Sequence, residues 1–303
     1  MTVNQFTNYN CLAMSSQSPA FRNVGVTAHP KLADAIQETQ EIVARLQEGG
    51  ARALFCKLYD EELRQRIKSG EFDLLIALGG DGTMLRAGHL CGPHNVPVLG
   101  INMGRFGFLM EIRQKQWREV MPRLLQGDYW LEKRMMLRAC LFRGIQPLGE
   151  WEVLNEVVVG RGQIVRPVHL VTDVDGRFLT TYVADALIAS TPTGSTAYAL
   201  AAGGPILPPE LRTILLVPVA PHLSIDRAIV LAEGSWVSIT VHTDHHAVVC
   251  VDGQTPLDLV DGDRIEVRAS DHFVQFVRFQ DPGYFYRNLT PHMSQNPSTG
   301  NYR

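Results

Sequence analysis

LLIALGGDGT, residues 74–83, joins an apolar run to a glycine-rich loop. The five residues Leu74–Leu78 have the length and composition of a buried strand. Gly79 and Gly80 end this strand, and a helix is predicted after Gly82. In open α/β sheets, ligands bind at loops that leave the carboxyl ends of strands. The loop over residues 79–83 is therefore predicted to lie at a ligand site.

The same alternation of strand and helix patterns continues on both sides of this loop. Apolar runs predict strands at Val24–Ala28, Ala53–Leu58 and Val96–Ile101, and amphipathic segments predict helices at Leu32–Gln47, Glu61–Lys68 and Gln116–Leu125. Such a series predicts a parallel, Rossmann-like α/β sheet.

The second half of the chain has a different pattern. Short strands are predicted at Met135–Phe142, Trp151–Val159, Val168–Val174, Arg177–Val183, Trp236–Val241, His246–Val251 and Arg264–Arg268, with hairpin turns at Asp175-Gly176 and Asp261-Gly262. This pattern predicts an all-β, antiparallel, sandwich-like domain with one inserted helix. We divide the chain into an N-terminal arm (1–20), an α/β domain (21–133), a β-rich domain (134–272) and a tail that returns to the first domain (273–303).

Composition excludes several classes of partner. The 303 residues contain 28 Lys and Arg against 31 Asp and Glu, a net charge of −3, so nucleic acid is not expected as a partner. No stretch approaches the roughly 18 apolar residues of a membrane span, and Met1–Ser16 lack the apolar core of a signal peptide. Five scattered cysteines without a C-x-x-C pair indicate reduced thiols. We expect a cytoplasmic protein.

The glycine loop carries one carboxylate, Asp81, between residues that allow close approach of a ligand. Gly79, Gly80 and Thr83 are interpreted as a phosphate-binding loop. Because a bare carboxylate repels phosphates, we expect Asp81 to accept a proton from a hydroxyl group. The alternative is a tight turn in which Asp81 only makes a local hydrogen bond.

A second segment, TPTGSTAYALAAGGP at residues 191–205, is rich in hydroxyls and small residues. Pro192 and Gly194, with Ser195 or Thr196 as the cap, predict an alanine-rich helix whose N-terminus binds an anion. The alternative is a capped helix start without a ligand. No Walker A motif is present and no lysine follows Lys133, so metal, backbone amides and arginines are expected to hold donor phosphates.

His242, His245 and His246 stand beside Asp244 and could suggest a metal centre. Their flanks alternate apolar and polar residues, so we interpret them as the solvated tip of a β-hairpin. No metal held by the protein's own side chains is predicted.

Six segments, in this order, resemble the NAD kinase family. They are Gly79–Thr83, Gly100–Gly104 with Gly107–Leu109, Asn155-Glu156, Thr191–Tyr198, Gly203–Pro205 and Asp252–Gln254. The resemblance covers roughly residues 23–285. The glycine loop alone also occurs in lipid kinases and phosphofructokinase-like proteins, whereas the fourth segment following it is highly specific.

The resemblance implies transfer of the terminal phosphoryl group of ATP to the 2′-hydroxyl of the adenosine ribose of NAD. A divalent metal, Mg²⁺, held mainly by the nucleotide phosphates, is implied as cofactor, with Asp81 as the general base. The NAD-binding residues implied are Gly82, Asn155, Glu156, Asp185, Thr196, Ala197, Tyr198 and Asp252.

Asp185 falls where relatives bind the nicotinamide end, often from a neighbouring subunit, which implies a homodimer or homotetramer. Val183 stands where some relatives have a basic residue, so inorganic polyphosphate is left open as a second donor. Two other functions are weighed: a lipid or sphingoid-base kinase that shares the glycine loop, and a dinucleotide sensor without turnover.

Overall fold

The computed structural model describes residues 21–104, 107–162, 166–222 and 224–294. The proposed N-terminal arm and the last residues of the proposed tail lie outside these ranges. The first half contains β1 (Asn23–Ala28), α1 (Ala33–Glu48), β2 (Arg52–Phe55), α2 (Glu61–Lys68), β3 (Leu74–Gly79), α3 (Asp81–Cys91), β4 (Val98–Asn102), β5 (Ile112–Arg113) and α4 (Trp117–Gln126).

Strands β2, β1, β3 and β4 lie side by side and run parallel, in that order. Every residue of β3 is buried, because helices cover both faces of the sheet. Leu74, Ile76 and Leu78 pack with α1 and α4, whereas Leu75 and Ala77 pack with α2 and α3. Burial on both faces explains why the apolar residues of β3 follow one another without alternating with polar residues.

The described part of the second half is built mainly from strands. It contains β6 (Trp130–Arg143), β7 (Gln146–Val153), β8 (Glu156–Arg161), β9 (Val168–Val174), β10 (Arg177–Ala184), β11 (Ala186–Ser190), α5 (Tyr198–Ala201), β12 (Thr213–Val219), β13 (Ile229–Ala232), β14 (Trp236–His242), β15 (Ala247–Val251), β16 (Leu257–Leu259), β17 (Asp263–Arg278) and α6 (Tyr284–Ser294).

These strands form two facing sheets. One sheet has the order β13-β12-β11-β8-β15-β16, and the other contains β10, β9, β14, β17, β6 and β7. Their inner faces share one apolar core, which includes Leu137, Val159, Leu187, Ile239 and Val267. The predicted fold class, an α/β half followed by an antiparallel β half, is confirmed.

The long strand β17 connects the two halves. It pairs antiparallel with β6 over most of its length, with an irregularity between Ala269 and Phe273. Near its end, Phe276 pairs with Val98 of β4 in parallel. The parallel strands and one β layer of the second half therefore form one continuous sheet.

One predicted strand and two predicted hairpins are wrong, and each of the three lies where the chain passes from one sheet to the other. Residues 151–159 are two strands, β7 and β8, in different sheets. Asp261-Gly262 connects β16 to β17, which also lie in different sheets and do not form a hairpin. The histidine segment likewise joins β14 to β15 across the two sheets, with His246 paired to Asp258 at 2.7 Å. The turn residues and the periodicity of a sequence are the same whether the next strand pairs in the same sheet or lies in the facing sheet. They therefore do not distinguish a hairpin from a change of sheet.

In the described residues, no helix is both long enough and apolar enough to cross a membrane.

Candidate active site

The glycine loop lies at the carboxyl end of β3, as the sequence predicts. Gly79 is packed so closely that a Cβ there would lie 2.2 Å from the Thr83 hydroxyl oxygen. The Met103 N–H donates to the Gly79 carbonyl at 2.8 Å, which joins the loop to the end of β4. The Thr83 hydroxyl is buried, and no described group hydrogen-bonds to it.

Asp81 is the first residue of α3, and its carboxylate is held by the main chain. The N–H groups of Phe108 and Leu109 donate to it at 2.8 and 3.2 Å. A Cβ at Gly107 would lie 2.2 Å from the same carboxylate, so only glycine allows this approach. The motif around Gly107 therefore fixes the position of the carboxylate that we singled out from sequence.

Asp252 organises a second loop at residues 154–156. Its buried carboxylate accepts the N–H groups of Leu154 at 2.7 Å, Asn155 at 2.7 Å and Glu156 at 2.8 Å. Its Oδ2 also lies 2.5 Å from Nε2 of His89, on the last turns of α3. Asp252 thus ties the helix that begins at Asp81 to the Asn155-Glu156 loop. Its contact with a dinucleotide stays a prediction.

Glu156 is a buried carboxyl group with an altered acidity. Burial, with the nearby Asp252 carboxylate adding to it, raises the pKa of Glu156 to about 8, and the Tyr198 N–H only partly opposes this. At neutral pH this carboxyl therefore carries a proton. Its Oε2 atom is buried, and no described group hydrogen-bonds to it.

The segment from Thr191 packs directly on this loop. The Thr191 hydroxyl donates to the Leu154 carbonyl at 2.6 Å, and the Thr191 N–H donates to the Asn155 carbonyl at 2.9 Å. A Cβ at Gly194 would lie 2.3 Å from the Asn155 carbonyl oxygen. Only glycine therefore fits at position 194.

The predicted helix at this segment is shorter than expected and its predicted caps are wrong, whereas anion binding there stays a prediction. The helix α5 has only four residues. Its N-cap residue is Ala197, which has no polar side chain, and not Ser195 or Thr196. Ser195 donates to the Pro192 carbonyl at 2.6 Å, and Thr196 donates to the Thr193 carbonyl at 3.1 Å. Both hydroxyls therefore stabilise the turn itself. Tyr198 is exposed, while Thr196 and Ala197 are half-buried.

Asp185 lies apart from the other predicted residues. Ser190, the last residue of β11, pairs with Glu156 of β8, whereas Asp185 comes just before the first residue of β11. Five residues of strand span about 16 Å. Asp185 instead forms a two-pronged ion pair with Arg161, at 2.9 and 3.1 Å. Within one chain, Asp185 therefore lies away from the Asn155-Glu156 loop.

A cavity of about 890 Å³ opens beside the glycine loop. Gly79, Gly80, Gly82 and Thr83 form one part of its wall, and Asp252 forms another. Further lining comes from α3 and from the start of α2. The cavity therefore combines the glycine loop with the residue that positions Asn155 and Glu156.

A buried charge cluster behind the site was not found from the sequence. Glu132 lies 3.0 Å from Arg134 and 2.8 Å from Arg278, and the Tyr284 hydroxyl donates to it at 2.8 Å. Burial alone would raise the pKa of Glu132, but Arg278, Arg134 and Tyr284 hold it at about 2. Charged residues inside the apolar strands β6 and β17 were the available signal, because such residues are rarely buried unpaired.

This cluster contacts both loops of the site. Arg278 donates to the Leu109 carbonyl at 3.0 Å, and the Leu109 N–H binds Asp81. Arg134 donates to the Thr193 hydroxyl at 3.2 Å. The Asp81 loop and the Thr193 segment are therefore anchored to the same buried group of charges.

The glycine loop thus borders a large cavity at the carboxyl end of a parallel strand, which is where α/β folds bind ligands. Residues 24–129 match the family model of the ATP-NAD kinase N-terminal domain, and residues 154–279 match the ATP-NAD kinase C-terminal domain.

Known proteins with similar sequences and structures carry the same description. A NAD kinase of Chloroflexus aurantiacus is 39% identical over 274 residues, 90% of this chain and 99% of the relative. One of Chloroflexus aggregans is 43% identical over 224 residues, 74% and 81% of the two chains. Yeast NADH kinase complexed with NADH aligns with a TM-score of 0.81 and 26% identity, covering 94% of this chain and 90% of that chain. A NAD kinase from Archaeoglobus fulgidus in complex with ATP aligns with a TM-score of 0.73 and 25% identity, covering 90% and 99%.

The chain therefore belongs to the NAD kinase family. The prediction of an ATP-dependent NAD kinase is confirmed, and the lipid-kinase alternative loses its support.

Proposed function

We propose that this enzyme transfers the terminal phosphoryl group of ATP to the 2′-hydroxyl of the adenosine ribose of NAD, with Asp81 as the general base. The observation that carries the proposal is the Asp81 carboxylate, fixed by the Phe108 and Leu109 amides at the carboxyl end of β3. The two amide donors orient the carboxylate, and an oriented carboxylate is a suitable acceptor for the proton of a substrate hydroxyl.

The adenosine of NAD would lie against the second loop. Asn155 offers a donor and an acceptor to an adenine or ribose edge. Glu156, protonated at neutral pH, can donate from a buried oxygen to a ligand acceptor. Thr196, Ala197 and Tyr198 would complete the adenine pocket, since the Tyr198 N–H already contacts Glu156.

A divalent metal fits this site as a companion of the nucleotide. Among the described residues, no group of three or more His, Cys, Asp or Glu side chains is placed to hold an ion. We therefore assign its ligands mainly to the donor phosphates, as is usual for Mg²⁺. When bound, the ion neutralises phosphate charge during transfer.

The nicotinamide end and the oligomer are linked in this proposal. Asp185 lies about 16 Å along β11 from the residue paired with Glu156. We assign its contact with NAD to a neighbouring subunit in a homodimer or homotetramer, as the family resemblance implies. Light scattering combined with activity measurements tests this point, and a fully active monomer would contradict it. We also infer a cytoplasmic location from the cysteine pattern.

The central test is NADP formation from NAD and Mg-ATP. Asp81→Asn should lower kcat at least about 100-fold with nearly unchanged KM for NAD, because it removes the proton acceptor and preserves the shape. Asp258→Asn, at an exposed carboxylate, is the control. An effect confined to KM would show that Asp81 is not the base.

The same preparation separates the alternative functions. NAD binding without NADP formation by the wild-type protein would identify a sensor. Phosphorylation of a sphingoid base or diacylglycerol in place of NAD would identify a lipid kinase. Replacing ATP by inorganic polyphosphate in a parallel reaction tests the second donor, and a rate equal to the donor-free blank would exclude it.

A further inference from the structure

We propose that Arg86 binds the terminal phosphates of the phosphoryl donor from the wall formed by α3. The inference rests on the proposed function for the identity of the reaction. It adds a specific donor-binding residue to that function. The ligand class is a chain of phosphates, either the triphosphate of a nucleotide or inorganic polyphosphate.

Helix α3 places Arg86 on the cavity face. Residues three and four positions apart share one face of a helix, so Arg86 aligns with Gly82, Thr83 and His89. All four line the cavity. Arg86 follows Asp81 by five residues, which is about 7.5 Å along the helix axis. This spacing suits a phosphate chain whose reacting end lies at Asp81.

The guanidinium group of Arg86 packs on an aromatic ring at the cavity wall. It lies 4.4 Å from the centre of the Tyr59 ring, and Tyr59 also lines the cavity. Within the described ranges, no carboxylate forms an ion pair with Arg86. Arg64, the other arginine of the wall, has Glu61 at 3.5 Å. A guanidinium stacked on a ring and lacking a protein carboxylate is suited to two-pronged phosphate binding.

The rest of the wall favours a polyanion. Besides the two arginines it includes three histidines: His29, His89 and His94. Two carboxylates oppose them, and both are engaged: Asp60 lies 3.9 Å from Lys57, and Asp252 accepts three amides. The wall therefore offers hydrogen-bond donors, with the charge of the Arg86 guanidinium among them.

A second observation points to a ligand at the same wall. Thr83 is a lining residue of the cavity and is only 3% exposed, and no described group hydrogen-bonds to its buried hydroxyl oxygen. Buried hydroxyls are normally hydrogen-bonded, so one without a protein partner indicates a site for an external oxygen. Thr83 and Arg86 are one turn apart, which allows both to contact neighbouring phosphates.

The test compares Arg86→Gln and Arg86→Lys with the wild-type enzyme. Loss of a charge-assisted, two-pronged contact should raise the KM for ATP about tenfold or more, while the KM for NAD stays within about twofold. Lysine should recover part of the donor affinity, because it keeps the charge but not the fork. If polyphosphate is a donor, its KM should rise with that of ATP, since the contact is to phosphate oxygens.

Arg52→Gln is the matched control, because Arg52 is an exposed arginine on β2 that does not line the cavity. It should leave both KM values unchanged. An unchanged donor KM in Arg86→Gln, or an equal rise for NAD, would overturn the proposal.

Calorimetric binding of ATP to the wild type and to Arg86→Gln supplies a readout without turnover. Weaker ATP binding by the variant supports the assignment even if NAD is not the acceptor. Failure of the wild type to make NADP would instead count against the proposed function, so the two failures are distinguishable. Equal ATP affinities would refute the role of Arg86.

Discussion

Asp252→Asn should destabilise the folded protein, because one carboxylate satisfies three successive main-chain amides. Asparagine offers one oxygen where aspartate offers two. If its NH₂ group takes the Oδ2 position, it faces the Leu154 N–H and His89, and the Leu154 amide loses its acceptor. If the amide is reversed, the Asn155 and Glu156 N–H groups lose theirs.

The size of the effect follows from these contacts. A buried donor left without an acceptor costs about 1–3 kcal/mol, and the remaining hydrogen bonds lose the strength that the charge gives them. We therefore expect a loss of about 2–4 kcal/mol in the free energy of unfolding. That is a large part of the 5–15 kcal/mol typical of a domain.

Urea unfolding followed by tryptophan fluorescence measures this loss. The control is Asp258→Asn, because Asp258 is exposed and pairs with His246 at 2.7 Å. An exposed pair contributes about 0–1 kcal/mol, so this variant should stay close to the wild type. Equal stabilities for the two variants would refute the role assigned to the buried carboxylate.

Two further predictions concern buried groups near the site. The raised pKa of Glu156 means that the folded protein binds a proton which the unfolded chain releases, so stability falls as pH rises from 4.5 towards 8. Glu156→Gln should remove a slope of up to about 1.4 kcal/mol per pH unit, whereas exposed Glu119→Gln should keep it; identical pH profiles for Glu156→Gln and wild type would contradict the buried proton. Tyr284→Phe should cost about 1–3 kcal/mol, because the hydroxyl both donates to Glu132 and accepts from Arg134. The control is Tyr286→Phe on the same helix, where the hydroxyl is exposed, and a similar loss in both variants would show that the cluster is not responsible.

The parallel half of the fold was predictable because its signals are local. Alternating apolar and amphipathic runs define β1 to α4, and Glu61–Lys68 has the same bounds in sequence prediction and structure. The position of the glycine loop follows from the strand before it. These features need no knowledge of distant residues.

The arrangement of the β half was not predictable in the same way. The break at Leu154-Asn155 depends on Asp252, almost a hundred residues later, which accepts their amides. The short α5 depends on hydroxyls that bond within their own turn. Propensity described residues 191–205 as a capped helix, but tertiary contacts with residues 154–156 determined their conformation.

The buried cluster illustrates the same limit. Glu132 and Arg134 look like ordinary polar positions of an edge strand, and Arg278 follows an apolar run. Only the pairing of β6 with β17 brings these charges together. Their partnership is a property of the assembled sheet.

The pairing of β17 also has a consequence for how the chain acquires its structure during synthesis. Strand β4 is complete early, yet one of its edges is paired by Phe276, near the end of β17. Until β17 leaves the ribosome, the part of that edge near Val98 and the edge of β6 that β17 will pair have unpaired hydrogen-bonding groups, which is the condition in which strands associate wrongly. Pairings between residues so far apart in sequence also form slowly. Because Arg278 lies near the end of the described chain, its hydrogen bond to Leu109, next to the Asp81 carboxylate, can form only after nearly all of that chain has been made.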